Sequence, residues 1–128
     1  MTRLYNQTCP IARTLDIIGD RWTMLIVRDL FMGERRFNQF LASSPGLPPK
    51  LLADRLKRLE EHGLVERVIY SQHPLRAEYR LTDQGRSLAP VIEEIARWGL
   101  DHCFEDEPEA RAAVVERIAS ATPTQSLR

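Results

Sequence analysis

The residues of this chain best suited to chemistry are cations at helical spacing. Between Lys50 and Arg58 the sequence carries Lys50, Arg55, Lys57 and Arg58 against one acid, Asp54, although its 128 residues are balanced overall at 18 basic and 18 acidic side chains. Charge sorted in this way suits a surface that neutralises phosphates and presents donors or acceptors to base edges. Lys50, Asp54 and Arg55 come first along the segment and are candidates for base or phosphate contact. Lys57 and Arg58 follow and suit phosphate contact or plain solvation. Arg35 and Arg36 precede a short apolar run, where they could grip a phosphate. Gln72, His73 and Arg76 surround a proline at what reads as a hairpin tip, and an arginine there could enter a narrow minor groove. Arg80, farther along, could instead pair with Glu66 or Glu78 across a sheet. On charge alone, a solvated helix face is the competing reading.

The sulfur and imidazole groups suggest less. Cys9 stands just before an expected helix, where the positive end of the helix dipole favours a thiolate, so it is a candidate sensor of oxidants or electrophiles. Inert packing in an interface is the alternative for the same residue. Cys103 falls beside His102 at the end of another expected helix, and whether it pairs with Cys9 is open. Cys9, His62, His73, His102 and Cys103 show no metal-ligand spacing, and no cofactor or metal is expected. The chain also lacks a glycine-rich phosphate loop, a nucleophile elbow and a His-Glu metalloprotease signature, so no enzyme activity is expected.

Positioning these groups requires a specific set of elements. A first helix should begin after Thr8 or Cys9, with Pro10 in its opening turn and Ile11, Leu15 and Ile18 as an apolar stripe ending at Gly19. Asp20 is placed to cap a second helix with Trp22, Leu25, Ile26 and Leu30 on one face. After Gly33, Phe37, Phe40 and Leu41 mark a short third helix. The run SSPGLPP is turn chemistry. Pro49 then opens a fourth helix whose inner face is Leu52, Leu56 and Leu59, ending near Gly63. LVERVIY and AEYRL read as two strands around the tip SQHPLR. Thr82 and Asp83 should cap a longer helix containing Leu88, Val91, Ile92, Ile95 and Trp98 or Gly99, with a bend or an irregular first turn at Pro90. Pro108 should start a last helix with Val114, Val115 and Ile118, followed by a frayed tail. The aromatics Trp22, Phe37, Phe40, Tyr70, Tyr79 and Trp98 could line an effector pocket or simply fill a core; core is favoured for Trp22, Phe37 and Tyr79.

The expected fold class is therefore mainly α with a small β-hairpin wing, a winged helix-turn-helix. Apolar content of 43% and charged content of 28% are ordinary for a globular protein. No apolar run approaches a membrane span, and MTRLYNQTCP lacks the core of a secretory signal, so a cytoplasmic protein with reduced cysteines is expected. Zero net charge argues against indiscriminate polyanion binding. The acids Asp101, Glu105, Asp106, Glu107 and Glu109 should face away from any nucleic acid.

These residues together resemble the HxlR-type family of bacterial transcriptional regulators, winged helix-turn-helix proteins related in architecture to MarR-type regulators. The resemblance rests on Cys9-Pro10, LDIIGDRW from Leu15 to Trp22, Arg36-Phe37-Asn38, Pro45-Gly46-Leu47, LLADRLKRLEEHGLVER, PLRAEYRLTDQG from Pro74 to Gly85, and Trp98-Gly99. It covers roughly the first hundred residues. The resemblance implies a homodimer formed by N- and C-terminal helices, with Ile11, Leu15, Trp98 and Cys103 as interface candidates. Each subunit would place a recognition helix and a wing on double-stranded DNA, commonly as a repressor or activator. Some relatives respond to oxidants or electrophiles through a cysteine corresponding to Cys9. Residues 1–104 would form the DNA-binding domain with its dimerisation helices, and 105–128 a C-terminal extension. Two departures stand out: Pro48 replaces a polar cap such as Ser, and Leu75 replaces the second proline of the wing tip. The reading is a palindrome-binding repressor controlled by Cys9 or by a small-molecule effector. Alternatives are a winged-helix interaction module without DNA binding and a ligand-responsive regulator with inert cysteines.

Overall fold

The structure is a computed structural model and describes residues 8–33 and 36–120; the expectation placed on Arg35 lies outside them. Helix α1 spans Pro10–Ile18, with Pro10 in the first turn, where no intrahelical N–H is needed, and the Cys9 sulfur accepting from the Ala12 N–H at 3.4 Å. At the following corner Gly19 N–H bonds the Leu15 carbonyl at 2.9 Å. A β-carbon at Gly19 would fall 2.3 Å from that same oxygen. Helix α2, Arg21–Phe31, opens on Asp20, whose carboxylate accepts from the Thr23 N–H at 3.4 Å and from the Thr23 hydroxyl. The buried face of α2 is Thr23, Ile26, Val27 and Leu30, at i, i+3, i+4 and i+7. Trp22 and Leu25, expected on that face, are half-buried at its edge. Trp22 takes the Arg21 guanidinium over its ring at 4.8 Å.

Helix α3, Phe37–Ser43, and helix α4, Pro49–Glu61, flank the Ser-Pro-Gly turn, where Gly46 has φ +96°. Phe40 from α3 and Leu52, Leu56 and Leu59 from α4 are fully enclosed against Ile26 and Val27. The α3 to α4 turn is tied back to α2 by a polar group that the apolar periodicity did not reveal. Asp29 is only 2% exposed, and its Oδ1 accepts from Arg28 Nε at 3.0 Å, Arg28 Nη2 at 2.8 Å and Ser43 Oγ at 2.8 Å. The charged and hydroxyl donors compensate Oδ1, while Oδ2 is buried with no hydrogen-bond partner among the described residues.

The end of α4 is built on Gly63, with φ +76°. Leu64 N–H reaches the Leu59 carbonyl at 2.9 Å and Gly63 N–H reaches the Glu60 carbonyl at 3.0 Å, the two bonds of a Schellman cap. The chain then enters an antiparallel hairpin of β1, Val65–Gln72, and β2, Leu75–Leu81, in the register Val65↔Leu81, Glu66↔Arg80 and Arg67↔Tyr79, with an irregularity between Ile69 and Ser71. Val65 and Leu81 close the base of the hairpin onto the core, and the Tyr79 ring meets Phe40 edge-on at 6.3 Å. Burial pushes the Tyr79 hydroxyl above its ordinary pKa, with the nearby Arg67 charge opposing and Glu60 adding to the rise.

The one longer helix expected after Thr82 is two helices, and of the bend or irregular first turn expected at Pro90 it is a first turn that forms. α5 covers Asp83–Arg86 and α6 covers Ala89–His102, so Pro90 lies in a first turn and not in an interior. The chain makes the break with tight bonds from Ser87 N–H to the Asp83 and Gln84 carbonyls and from Leu88 N–H to the Gly85 carbonyl at 3.1 Å. Helix α7, Pro108–Ser120, begins where Pro108 suggested and is joined to the end of α6 by Arg111, which donates to the Leu100 carbonyl at 2.8 Å. No helix among the described residues is long and apolar enough to cross a membrane.

Candidate nucleic-acid interface

Because Leu52, Leu56 and Leu59 are buried, the opposite face of α4 must lie in solvent, and Lys50, Asp54 and Lys57 are exposed there. Pro48 caps the helix with no side-chain hydrogen bond and Pro49 follows, so this end lacks both a capping hydroxyl and two N–H groups. Lys50, exposed in the first turn, adds a side-chain positive charge at this end.

Arg55 and Arg58 occupy a different flank. The Arg55 side chain is 20% exposed, with Nε 3.1 Å from Asp20 Oδ2 and Nη1 2.5 Å from Asp54 Oδ2. Arg58 is half-buried and donates from Nη2 to the Asp16 carbonyl at 3.4 Å. Burial tends to raise the Asp20 carboxyl, but the hydrogen bonds from Thr23 and Arg55 and the Arg55 charge outweigh it and hold the group below its ordinary value.

On the hairpin, Gln72, His73 and Arg76 are all exposed around the tip. Arg80 makes the cross-strand pair expected of it, 2.7 Å from Glu66 Oε2. Arg36 joins the start of α3 to the wing, with its guanidinium 4.8 Å from the Tyr70 ring centre and 3.5 Å from Glu78 Oε2. Arg36 N–H is also bonded by the Gln39 side chain at 2.7 Å. Between them lies a shallow cleft bordered by Arg36, Asn38, Gln39, Tyr70 and Arg76. Tyr70, grouped by sequence with the pocket or core aromatics, is thus on the wing surface, and its pairing with Arg36 had no signal in local spacing.

The remaining candidates are at the other elements. Cys9 is half-buried at the head of α1, and Cys103 is exposed at the end of α6. Ile11 and Leu15 project from α1 at 70% and 51% exposure, and Val91, Ile95 and Trp98 from one side of α6, with Trp98 60% exposed and stacked on His102 at 4.4 Å. Among the described residues no three His, Cys, Asp or Glu side chains come together as a metal site.

The arrangement has clear relatives. Residues 17–107 match the HxlR-like helix-turn-helix family. The chain is 41% identical over 101 residues to sll1512 of Synechocystis sp., described as an uncharacterized HTH-type transcriptional regulator, covering 79% of this chain and 75% of that one. It is 48% identical over 89 residues to Rv3095 of Mycobacterium tuberculosis, similarly described, covering 70% of this chain but only 56% of the relative's length. Among solved structures it resembles PA1607, with a TM-score of 0.72 and 47% identity, covering 80% of this chain and 70% of that one. It also resembles the redox regulator HypR in its oxidized form, with a TM-score of 0.69 and 36% identity, covering 73% and 97%. A three-helix core with a hairpin wing, matched over this span, makes the chain a member of the HxlR-like helix-turn-helix family of transcriptional regulators.

Proposed function

We propose that the protein is a cytoplasmic, homodimeric, sequence-specific DNA-binding repressor that places two copies of α4 in successive major grooves of a palindromic operator, with the wings over the flanking minor grooves. The observation that carries this reading is the solvent face of α4, where Lys50 and Lys57 stand exposed on a helix whose opposite side is fully buried. Arg76 at the wing and Arg36 beside it extend the cationic surface, and Arg35, Gln72 and His73 complete the proposed contact set. The apolar residues left exposed on α1 and α6, Ile11, Leu15, Ile95 and Trp98, support pairing with a second copy, with Cys103 at the edge of that face. Residues 1–104 form the proposed DNA-binding and dimerisation unit, and 105–128 an extension that carries α7. The role assigned is binding and includes no catalytic step.

For control, we assign the sensing group to Cys9. Its place at the head of α1, and the likeness to a protein described as a redox regulator, support thiol modification over a passive role. A small molecule bound between the DNA-binding body and the dimer helices is the second route. A mobility-shift titration on genomic fragments, including the region upstream of the protein's own gene, tests the proposal: a discrete complex is expected, and failure to shift any fragment at low salt contradicts it.

A further inference from the structure

Arg55 and Arg58 are three residues apart on α4 and therefore share a flank, turned toward the corner between α1 and α2. Each holds one side of that corner. Arg58 donates to the Asp16 carbonyl, in the last turn of α1, where a helix runs out of its own N–H donors. Arg55 binds Asp20, the residue that caps α2. Gly19 stands between them with no room for a side chain. To reach a phosphate Arg55 would have to leave two carboxylates.

We infer that Arg55 and Arg58 are positioning residues: they clamp the recognition helix to the α1–α2 corner and set the angle at which Lys50, Asp54 and Lys57 meet DNA. The inference rests on the DNA-binding reading above and gives a different role to two cations that the sequence had offered as DNA contacts. It also gives α1, which is capped by Cys9 and carries Ile11 and Leu15, a direct mechanical hold on α4. Whatever displaces or covers α1 moves the corner, and the corner moves the reading face.

The test compares wild type, Arg55→Gln, Asp20→Ser and the double variant on a genomic fragment that the wild type shifts, at several salt concentrations. Asp20→Ser keeps a capping hydroxyl for α2 while removing the ion pair. Each single variant is expected to weaken binding roughly tenfold, and the double variant no further than Arg55→Gln. The slope of log affinity against log salt should stay at the wild-type value. Asp20→Ser is the sharpest arm, because removing an acid from a DNA-binding surface should tighten binding if charge alone counted. Arg55→Lys, which still reaches one carboxylate, should recover part of the loss. The clamp is overturned if Arg55→Gln flattens the slope by about 0.9, the value of one lost phosphate contact, while Asp20→Ser binds as well as wild type or better. A wild type that shifts no fragment overturns the DNA-binding reading and the clamp's purpose with it. That pair of results, when the wild type does shift DNA, overturns the clamp alone. Should Arg55→Gln fail to fold, Asp20→Ser still decides the matter by the sign of its effect.

Discussion

At the scale of single residues, the sorting of charge was legible in the sequence but its allocation was not. Lys50 and Lys57 emerge on the open face as their spacing required, because three leucines at i, i+4 and i+7 leave only one way for α4 to face. Arg55 and Arg58 belong to the same charged run yet point to Asp20 and Asp16, partners 35 and 42 residues away that helical periodicity cannot reveal. Arg36 on Tyr70 escaped for the same reason. The expected consequence is a division among cations. Lys50→Ala and Arg76→Ala should each weaken operator binding by roughly 1 kcal/mol and flatten the salt slope by about 0.9 per lost phosphate contact, measured by titration at several salt concentrations. Unchanged slopes in both would remove them from the contact set. For Cys9, Cys9→Ser should bind DNA as wild type does but no longer release it on treatment with a thiol oxidant; a variant that releases normally would end the sensing role.

At the scale of elements, boundaries set by backbone chemistry were read closely. Pro10, Asp20, Pro49 and Gly63 open or close helices where their types predict. Pro90 was harder, because a proline in a periodic run signals either a bend or a new start. The choice fell to the tight bonds around Ser87 and Leu88, together with the packing of Gly85 against the hairpin. Two glycines now make contrasting predictions. Gly63 has φ +76° but open space, with only the Gln84 side chain 3.6 Å from an added β-carbon, so Gly63→Ala should cost about 1–2 kcal/mol, the strain of a left-handed residue. Gly85 lacks that strain, yet a β-carbon there would fall 2.1 Å from the Leu64 carbonyl oxygen, so Gly85→Ala should cost about 3 kcal/mol or more by forcing α5 off the strands. Urea unfolding of the two variants checks the order, and a Gly63→Ala variant that loses more than Gly85→Ala would show that the α5 contact is slack.

At the scale of the whole molecule, the sequence showed apolar stripes at both ends but could not say whether they pack inward. The core closes without them: Phe40 and the α4 leucines fill against α2 and the hairpin base, while Ile11, Leu15, Ile95 and Trp98 are left facing out. Large apolar side chains left exposed on two helices invite a second copy. Trp98→Glu should therefore shift the protein from dimer to monomer on size-exclusion chromatography and lower operator affinity at least tenfold, since two half-sites bind together only when the protomers are joined. A Trp98→Glu protein that elutes with wild type would place the dimer face elsewhere. The proposed two-fold arrangement, the exposed face of α4 and the wing all converge on one observable, the pattern of DNA that the protein covers. Hydroxyl-radical footprinting on a bound genomic fragment should show two protected half-sites related by a two-fold axis, with centres about one helical turn apart. A single unpaired protected stretch, or uniform coverage with no sequence preference, would contradict a dimeric reader of a palindrome.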